Sequence, residues 1–221
     1  MTTWTTASRI PVGDVWLEGD LALPPHAIGV VLFAHGSGSS RHSPRNRLVA
    51  QALHRRGLAT LLVDLLTQAE EVRDARTREL RFDIGLLADR VIGAVDWLTA
   101  EPETAALPAG LFGASTGAAA ALVAAAARPG HIRAVVSRGG RPDLAGPALM
   151  QVSAPTLMLV GERDMPVIEL NEQARNAMRV RAELRIVPRA THLFEEPGTL
   201  DRVAEEAGDW FITYLTRESE R

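Results

Sequence analysis

Short, nearly unbroken apolar runs alternate along this chain with longer stretches of helical periodicity, and that alternation leaves few folds open. The runs span residues 29–34, 58–64, 109–112, 132–137, 156–161 and 184–187. Apolar character without alternation implies burial on both faces, the condition of a strand inside a parallel sheet covered by helices. Two earlier segments, 5–12 and 15–23, are separated by Gly13-Asp14, a pair suited to a tight turn. They predict an antiparallel hairpin at the start of the sheet. Helical patterns fill the intervals at 45–56, 82–98, 115–127, 167–178 and 200–215. The second of these puts Ile84, Leu87, Val91, Val95 and Leu98 on one face at three- and four-residue spacing. The repetition predicts an α/β fold: a doubly wound, mostly parallel sheet with right-handed crossovers and helices on both faces. No Gly- or Pro-rich linker divides the sequence and no segment repeats, so residues 1–221 read as a single domain.

Composition narrows the class further. Apolar residues make up 46% and charged residues 23%, ordinary for a globular chain and unlike a disordered or coiled-coil one. A net charge of −3 gives no reason to expect a nucleic-acid or anionic-membrane partner. All 24 strong bases are Arg, so Schiff-base lysine chemistry is excluded. Cysteine is absent, which removes disulfides, thiolate nucleophiles and Cys-ligated metals and fits a reducing cytoplasm. The first residues are polar and lack the apolar stretch of a signal peptide. The longest nearly apolar run, 117–127, would span only about 17 Å as a helix, far short of a bilayer. No metal or cofactor is expected, and a small molecule is the expected partner; the oligomeric state is left open.

The sharpest chemical signal is Gly113-Ala114-Ser115-Thr116-Gly117, which follows an apolar run and opens an Ala-rich helical stretch. A strand-to-helix turn this tight lifts its central side chain clear of the sheet. The residues two before and two after must be nearly side-chain-free for strand and helix to approach. A serine nucleophile needs a base, and the base an orienting carboxylate. His192 lies just past the last apolar run, in the kind of loop where open α/β sheets place their sites. Asp164 ends the preceding run, giving the order Ser, Asp, His along the chain; Glu162 and Asp143 compete with it. His35-Gly36-Ser37-Gly38 follows the run 29–34, and small residues there free backbone N–H groups to face an anion. The Ser37 amide, with that of Thr116, would form an oxyanion hole. A dinucleotide phosphate loop fits poorly, because Arg41 stands where a third glycine is needed. His35 reads as an anchor of that loop, and His26 and His54 as surface residues.

These four segments resemble the α/β-hydrolase superfamily, nearest the small dienelactone-hydrolase-like group, and the resemblance runs the length of the chain. It implies Ser115 as nucleophile, His192 as base and then acid, Asp164 as orienter, and the Ser37 and Thr116 amides as oxyanion donors. One position departs: dienelactone hydrolases use a cysteine nucleophile where this chain has Ser115. Only residues 138–155 separate two consecutive apolar runs where relatives insert a helical cap, so no cap domain is expected and the site should be open. Arg41, Arg45, Arg138 and Arg141 fall near that end of the sheet and could clamp a substrate carboxylate or phosphate. Gly36, Gly38, Arg41 and Arg141 are taken as the candidate substrate-binding residues, although most arginines of a lysine-free chain are solvated surface charges. The stretch 73–81 reads as an exposed helix or a flap. The function implied is a serine hydrolase cleaving small carboxylic esters or lactones through an acyl-enzyme. An acyltransferase and a non-catalytic small-ligand-binding protein on the same fold are the alternatives. Related hydrolase domains occur joined to phosphoribosyltransferase domains. The acidic pair and Gly/Thr loop that would bind phosphoribosyl pyrophosphate are not expected here.

Overall fold

A computed structural model describes residues 3–216. Eight strands form one sheet: β1 (Trp4–Val12), β2 (Val15–Leu23), β3 (Gly29–Ala34), β4 (Leu58–Val63), β5 (Ala109–Ala114), β6 (Ile132–Arg138), β7 (Thr156–Gly161) and β8 (Ala182–Val187). Their order is β1-β2-β4-β3-β5-β6-β7-β8. β1 and β2 form the expected hairpin, with Val12 opposite Val15 beside the turn, and β2 pairs antiparallel with β4. Every other pairing is parallel. β3, β4, β5 and β7 are buried along their whole length, as unbroken apolar runs require. β8 departs from that expectation. It is an edge strand, mostly half-exposed, and its charged Glu183 and Arg185 interrupt the apolar character expected of the run 184–187.

Six α-helices cover the sheet: α1 (Pro44–Arg55), α2 (Gln68–Thr77), α3 (Ile84–Ala100), α4 (Thr116–Ala127), α5 (Met165–Ala177) and α6 (Thr199–Leu215). α1 and α6 share one face, where Val49, Leu53, Trp210 and Phe211 pack on Phe33, Phe112 and Leu157. α3, α4 and α5 lie on the other, where Val91, Leu122 and Ala174 join Leu32 and Leu111. Each fully buried Val, Leu or Phe side chain among them contributes about 1.5–3 kcal/mol over leaving it in water. α4 is apolar all round and is buried accordingly, its alanines allowing neighbours to approach closely.

α2 begins before the stretch read as a helix or flap. Thr67 and Glu70 close a capping box at its start, and Asp74 is its buried residue. Asp74 accepts from the Leu80 and Arg81 amides at 2.9 and 3.1 Å and from Arg81 Nε at 2.6 Å. The stretch is therefore an exposed helix with its following turn tied down. Between β6 and β7 there is only a 3-10 stretch, Pro142–Gln151, kinked at Gly146, so the site carries no cap there. Among the described residues no helix is long and apolar enough to cross a membrane.

The strand order decides where a site can form. The chain leaves β3 toward β4 on one side and returns to β5 on the other, so the crossovers that follow β3 and β5 diverge. That divergence opens a crevice at the carboxyl ends of these two strands.

Candidate active site

β5 ends at Ala114 and α4 starts at Thr116, leaving Ser115 alone to make the turn, at φ 50° and ψ −122°. A side chain held in such a sparsely populated region costs about 1–3 kcal/mol, so the surroundings must enforce it. They do so by close approach. A Cβ on Gly113 would lie 2.4 Å from Ala118 Cα, and one on Gly117 would lie 2.3 Å from Ala34 O. The Ser115 amide donates to Arg138 O at 3.3 Å, and Ser115 O accepts from the Arg141 amide at 3.1 Å. These two bonds strap the turn to the loop that follows β6.

His192 stands in the loop after β8, and its Nδ1 lies 2.6 Å from Asp164 Oδ2. An ionised carboxylate only accepts, so Nδ1 carries the proton and Nε2 is left with its lone pair for another group. The two loops meet because Gly161 has no side chain; a Cβ there would lie 2.4 Å from Ala190 O. Of the three acids, Asp164 is the one bonded to His192. Glu162 accepts from the Arg189 amide at 2.7 Å, and Asp143 takes both its oxygens to Arg141 at 2.8 Å. His192 and Ser115 line one pocket of about 210 Å³, together with Gly36, Ser37, Arg45 and Arg138.

The loop after β3 forms another wall. A Cβ on Gly36 would lie 3.0 Å from Ser115 Cβ, so this loop passes directly beside the turn. His35 anchors it as expected. Its Nε2 accepts from the Leu65 amide at 3.0 Å, so Nδ1–H donates to Gly36 O at 2.9 Å. Burial holds the imidazole below its ordinary pKa, which keeps it neutral. Among the described residues no acceptor pairs with the Ser37 amide, and Thr116, as the first residue of α4, has no intrahelical acceptor. The positive end of α4 adds to the attraction for an anion there. A second, larger cleft of about 510 Å³ adjoins the first and shares Gly36, Ser37 and Arg45 with it; Gly38, His42 and Glu71 are among its other walls. Among the described residues no group of three or more His, Asp or Glu is placed to hold a metal ion.

Gly36 and Gly38 thus border the clefts, whereas Arg41 and Arg141 border neither. The Arg41 amide donates to Asp64 Oδ1 at 2.6 Å, while its guanidinium pairs with Asp64 and reaches Asp20 at 3.4 Å. Arg41 holds the loop in place. Arg141 is closed in its bidentate pair with Asp143. The arginines that do reach the pocket are the other two, Arg45 on α1 and Arg138 at the end of β6. Sequence reasoning placed all four near the site and took Arg41 and Arg141 as the binding candidates, a choice corrected here because nearby carboxylates, which the sequence does not locate, hold that pair away from the pocket. His54, expected at the surface, is half-buried and bonded to Thr60 Oγ1 at 2.7 Å, and burial lowers its pKa. His26 is exposed.

The model of the dienelactone hydrolase family matches residues 17–214. Among solved structures, a dienelactone hydrolase from Anabaena variabilis is 60% identical with a TM-score of 0.95, covering 96% of this chain and 99% of that one. Est1E from Butyrivibrio proteoclasticus, solved with ferulic acid bound, is 16% identical with a TM-score of 0.80 over 96% of this chain and 100% of its own. At that identity the likeness is one of fold. Two strains of Mycobacterium tuberculosis carry proteins 57% identical over 207 residues, given the provisional name phosphoribosyl transferase. The match covers 94% of this chain and 46% of theirs, so the chain spans about half the length of these curated relatives.

Proposed function

The chain belongs to the dienelactone hydrolase family, and we propose that it is a serine hydrolase that cleaves small carboxylic esters or lactones through an acyl-enzyme. Family and fold support a hydrolase. The finer reading rests on one observation: Ser115, at a strained turn, shares a pocket with a histidine whose Nδ1 is held by Asp164 at 2.6 Å. In this mechanism His192 Nε2 takes the Ser115 proton as Oγ attacks the carbonyl carbon. The resulting oxyanion accepts from the Ser37 and Thr116 amides, and Asp164 stabilises the imidazolium. The imidazolium then gives its proton to the leaving alkoxide, releasing the alcohol. Water, deprotonated by the same nitrogen, attacks the acyl-enzyme, and its collapse restores Ser115 and frees the acid.

The mycobacterial relatives' name belongs to proteins about twice this length. In the segment matched here the acidic pair that precedes a Gly-Thr step, Glu195-Glu196, lies in a loop and not at the end of a strand, which favours hydrolysis over phosphoribosyl transfer for this part. The absence of cysteine favours a cytoplasmic setting.

The test is covalent labelling. A fluorophosphonate probe should modify the protein once, at Ser115, and Ser115→Ala should abolish labelling and reduce 4-nitrophenyl acetate hydrolysis by about 10³-fold or more. Full labelling of the variant rejects Ser115 as nucleophile. A wild-type chain that binds a small ligand yet neither labels nor turns over any ester favours the binding-protein reading.

A further inference from the structure

We infer that the larger cleft takes the acyl half of the substrate and that this half is polyhydroxylated, so that the chain cleaves esters or lactones of polyhydroxy acids. The inference rests on the serine-hydrolase reading of the adjoining pocket and supplies its substrate class.

The two compartments divide the reacting groups between them. Ser37 and Thr116, whose amides would hold the oxyanion, both border the larger cleft of about 510 Å³. His192 and Leu193 border only the smaller pocket of about 210 Å³. In the tetrahedral intermediate the leaving oxygen must reach His192 Nε2 to collect its proton, which keeps the alcohol on that side. The oxyanion faces the two amides. The acyl chain takes the direction that remains, past the oxyanion loop into the larger cleft.

The walls of that cleft suit hydroxyl groups. Glu71, on α2, lines it, and among the described residues its carboxyl makes no hydrogen bond or ion pair. Burial pushes the pKa of that carboxyl up, reinforced by Asp64 and opposed by Arg41 and His42. His42 also lines the cleft, and its Nδ1 lies 2.7 Å from Arg47 Nη2, which can only donate. Nδ1 therefore accepts, and Nε2 carries a proton that has no acceptor among the described residues. The hydroxyls of Ser37 and Ser39 are likewise unbonded there, while the buried Leu66 and Leu87 add apolar surface. Arg81 is closed by Asp74. A hydroxyl both donates and accepts, so neighbouring hydroxyls can bond to the Glu71 carboxyl and the His42 N–H together. An anionic acyl group would instead face the Glu71 carboxyl, and a plain hydrocarbon chain would leave these polar groups without partners.

The experiment measures kcat/KM on two pairs of esters, each value divided by the ester's own hydroxide-catalysed rate so that inductive effects cancel. Methyl 2,3-dihydroxypropanoate against methyl propanoate puts two hydroxyls on the acyl side. Against propyl acetate, 2,3-dihydroxypropyl acetate puts them on the alcohol side. In the wild type at least one enantiomer of the acyl-side ester should gain about tenfold or more, as hydrogen bonds to a charged group allow, and the alcohol-side pair should stay within about threefold. Glu71→Ala and His42→Leu should each pull the acyl-side gain toward unity. Glu172→Ala, which removes the same charge outside both clefts, should keep it. If His42→Leu does not fold, Glu71→Ala carries the test, since residue 71 is exposed on its helix. No acyl-side gain in the wild type, an equal or larger gain on the alcohol side, or a gain unchanged in Glu71→Ala and in any folded His42→Leu overturns the assignment. Failure of the hydrolase reading looks different: no ester is turned over and no probe attaches. In that case thermal protection by 2,3-dihydroxypropanamide beyond that by propanamide, lost in Glu71→Ala, still supports a polyhydroxy ligand in the cleft, and absence of that protection overturns it.

Discussion

Ser115 shows how a single residue can be over-determined by its neighbours. Its backbone is forced by Gly113 and Gly117, one on either side, its amide and carbonyl are bonded to the β6 loop, and it lines the pocket. That constraint was legible in the sequence, because only Gly fits two residues away in both directions. The histidine was legible too, from its place after the last strand. The choice among Asp164, Glu162 and Asp143 was less so, since all three follow strands and only distance separates them. Distance gives a sharp expectation. Asp164→Asn should lower kcat/KM for small esters by about 10³–10⁴, because the amide favours the wrong imidazole tautomer. Glu162→Gln should stay within about twofold, having lost only a surface contact to the Arg189 amide. Equal losses in the two variants would remove Asp164 from its role.

Elements transmit such constraints through close approach. Strands β3 and β5 and helix α4 meet where side chains are smallest, and the sequence marked that junction by glycine and alanine. Gly113→Ala would drive a Cβ to 2.4 Å from Ala118 Cα, so α4 must shift away from β5. We expect a loss of about 1–3 kcal/mol in urea unfolding, as for other overpacked sites, together with reduced esterase activity. Gly130→Ala is the control: its Cβ would meet nothing within 4 Å, and stability should change by about 0.5 kcal/mol at most. Matching losses would mean that the junction has slack. Other elements were harder to read. α2 is polar nearly all round, so no apolar stripe announced it, and its order comes instead from the Thr67–Glu70 capping box and the buried Asp74. β8 was half-hidden because this edge strand is half-exposed along most of its length and carries Glu183 and Arg185 among its apolar residues.

At the scale of the whole molecule, fold class was readable because unbroken and alternating apolar runs report burial on two faces or one. Strand order was not, since placing β4 between β2 and β3 depends on which surfaces pair after collapse. Ionisation is a property of the same scale. Burial lowers the pKa of both His35 and His54, with the charge of Arg55 adding to the effect at His54. Such a group binds its proton more readily in the unfolded chain, so stability rises with pH. The stabilising condition is complete above the unfolded imidazole value, about 6.5, and is lost as pH falls below it. Asp96, held down by Arg128, and Glu183, held down by Arg185 and Arg181, act with the same sign but only as pH falls below the ordinary carboxylate range. At Asp74 burial pushes upward, yet the bonds from Arg81 and Leu80 leave the carboxyl lowered, and it joins them. Glu71, raised by burial and by Asp64, runs the other way and offsets part of the second stage. The melting temperature should therefore fall in two stages on acidification, the first setting in below about pH 6.5. His35 can add at most about 1.4 kcal/mol per pH unit to that first slope. In a His35→Gln, His54→Gln double variant the first stage should flatten while the second persists. A melting temperature constant from pH 8 to pH 5, or a first stage unchanged in the double variant, would show that neither buried imidazole governs the acid limb. Because the Leu65 amide donates to His35 Nε2, protonation there also breaks the bond that steadies the loop carrying Ser37. Ester hydrolysis should then decline over the same interval in which the first stage of stability is lost.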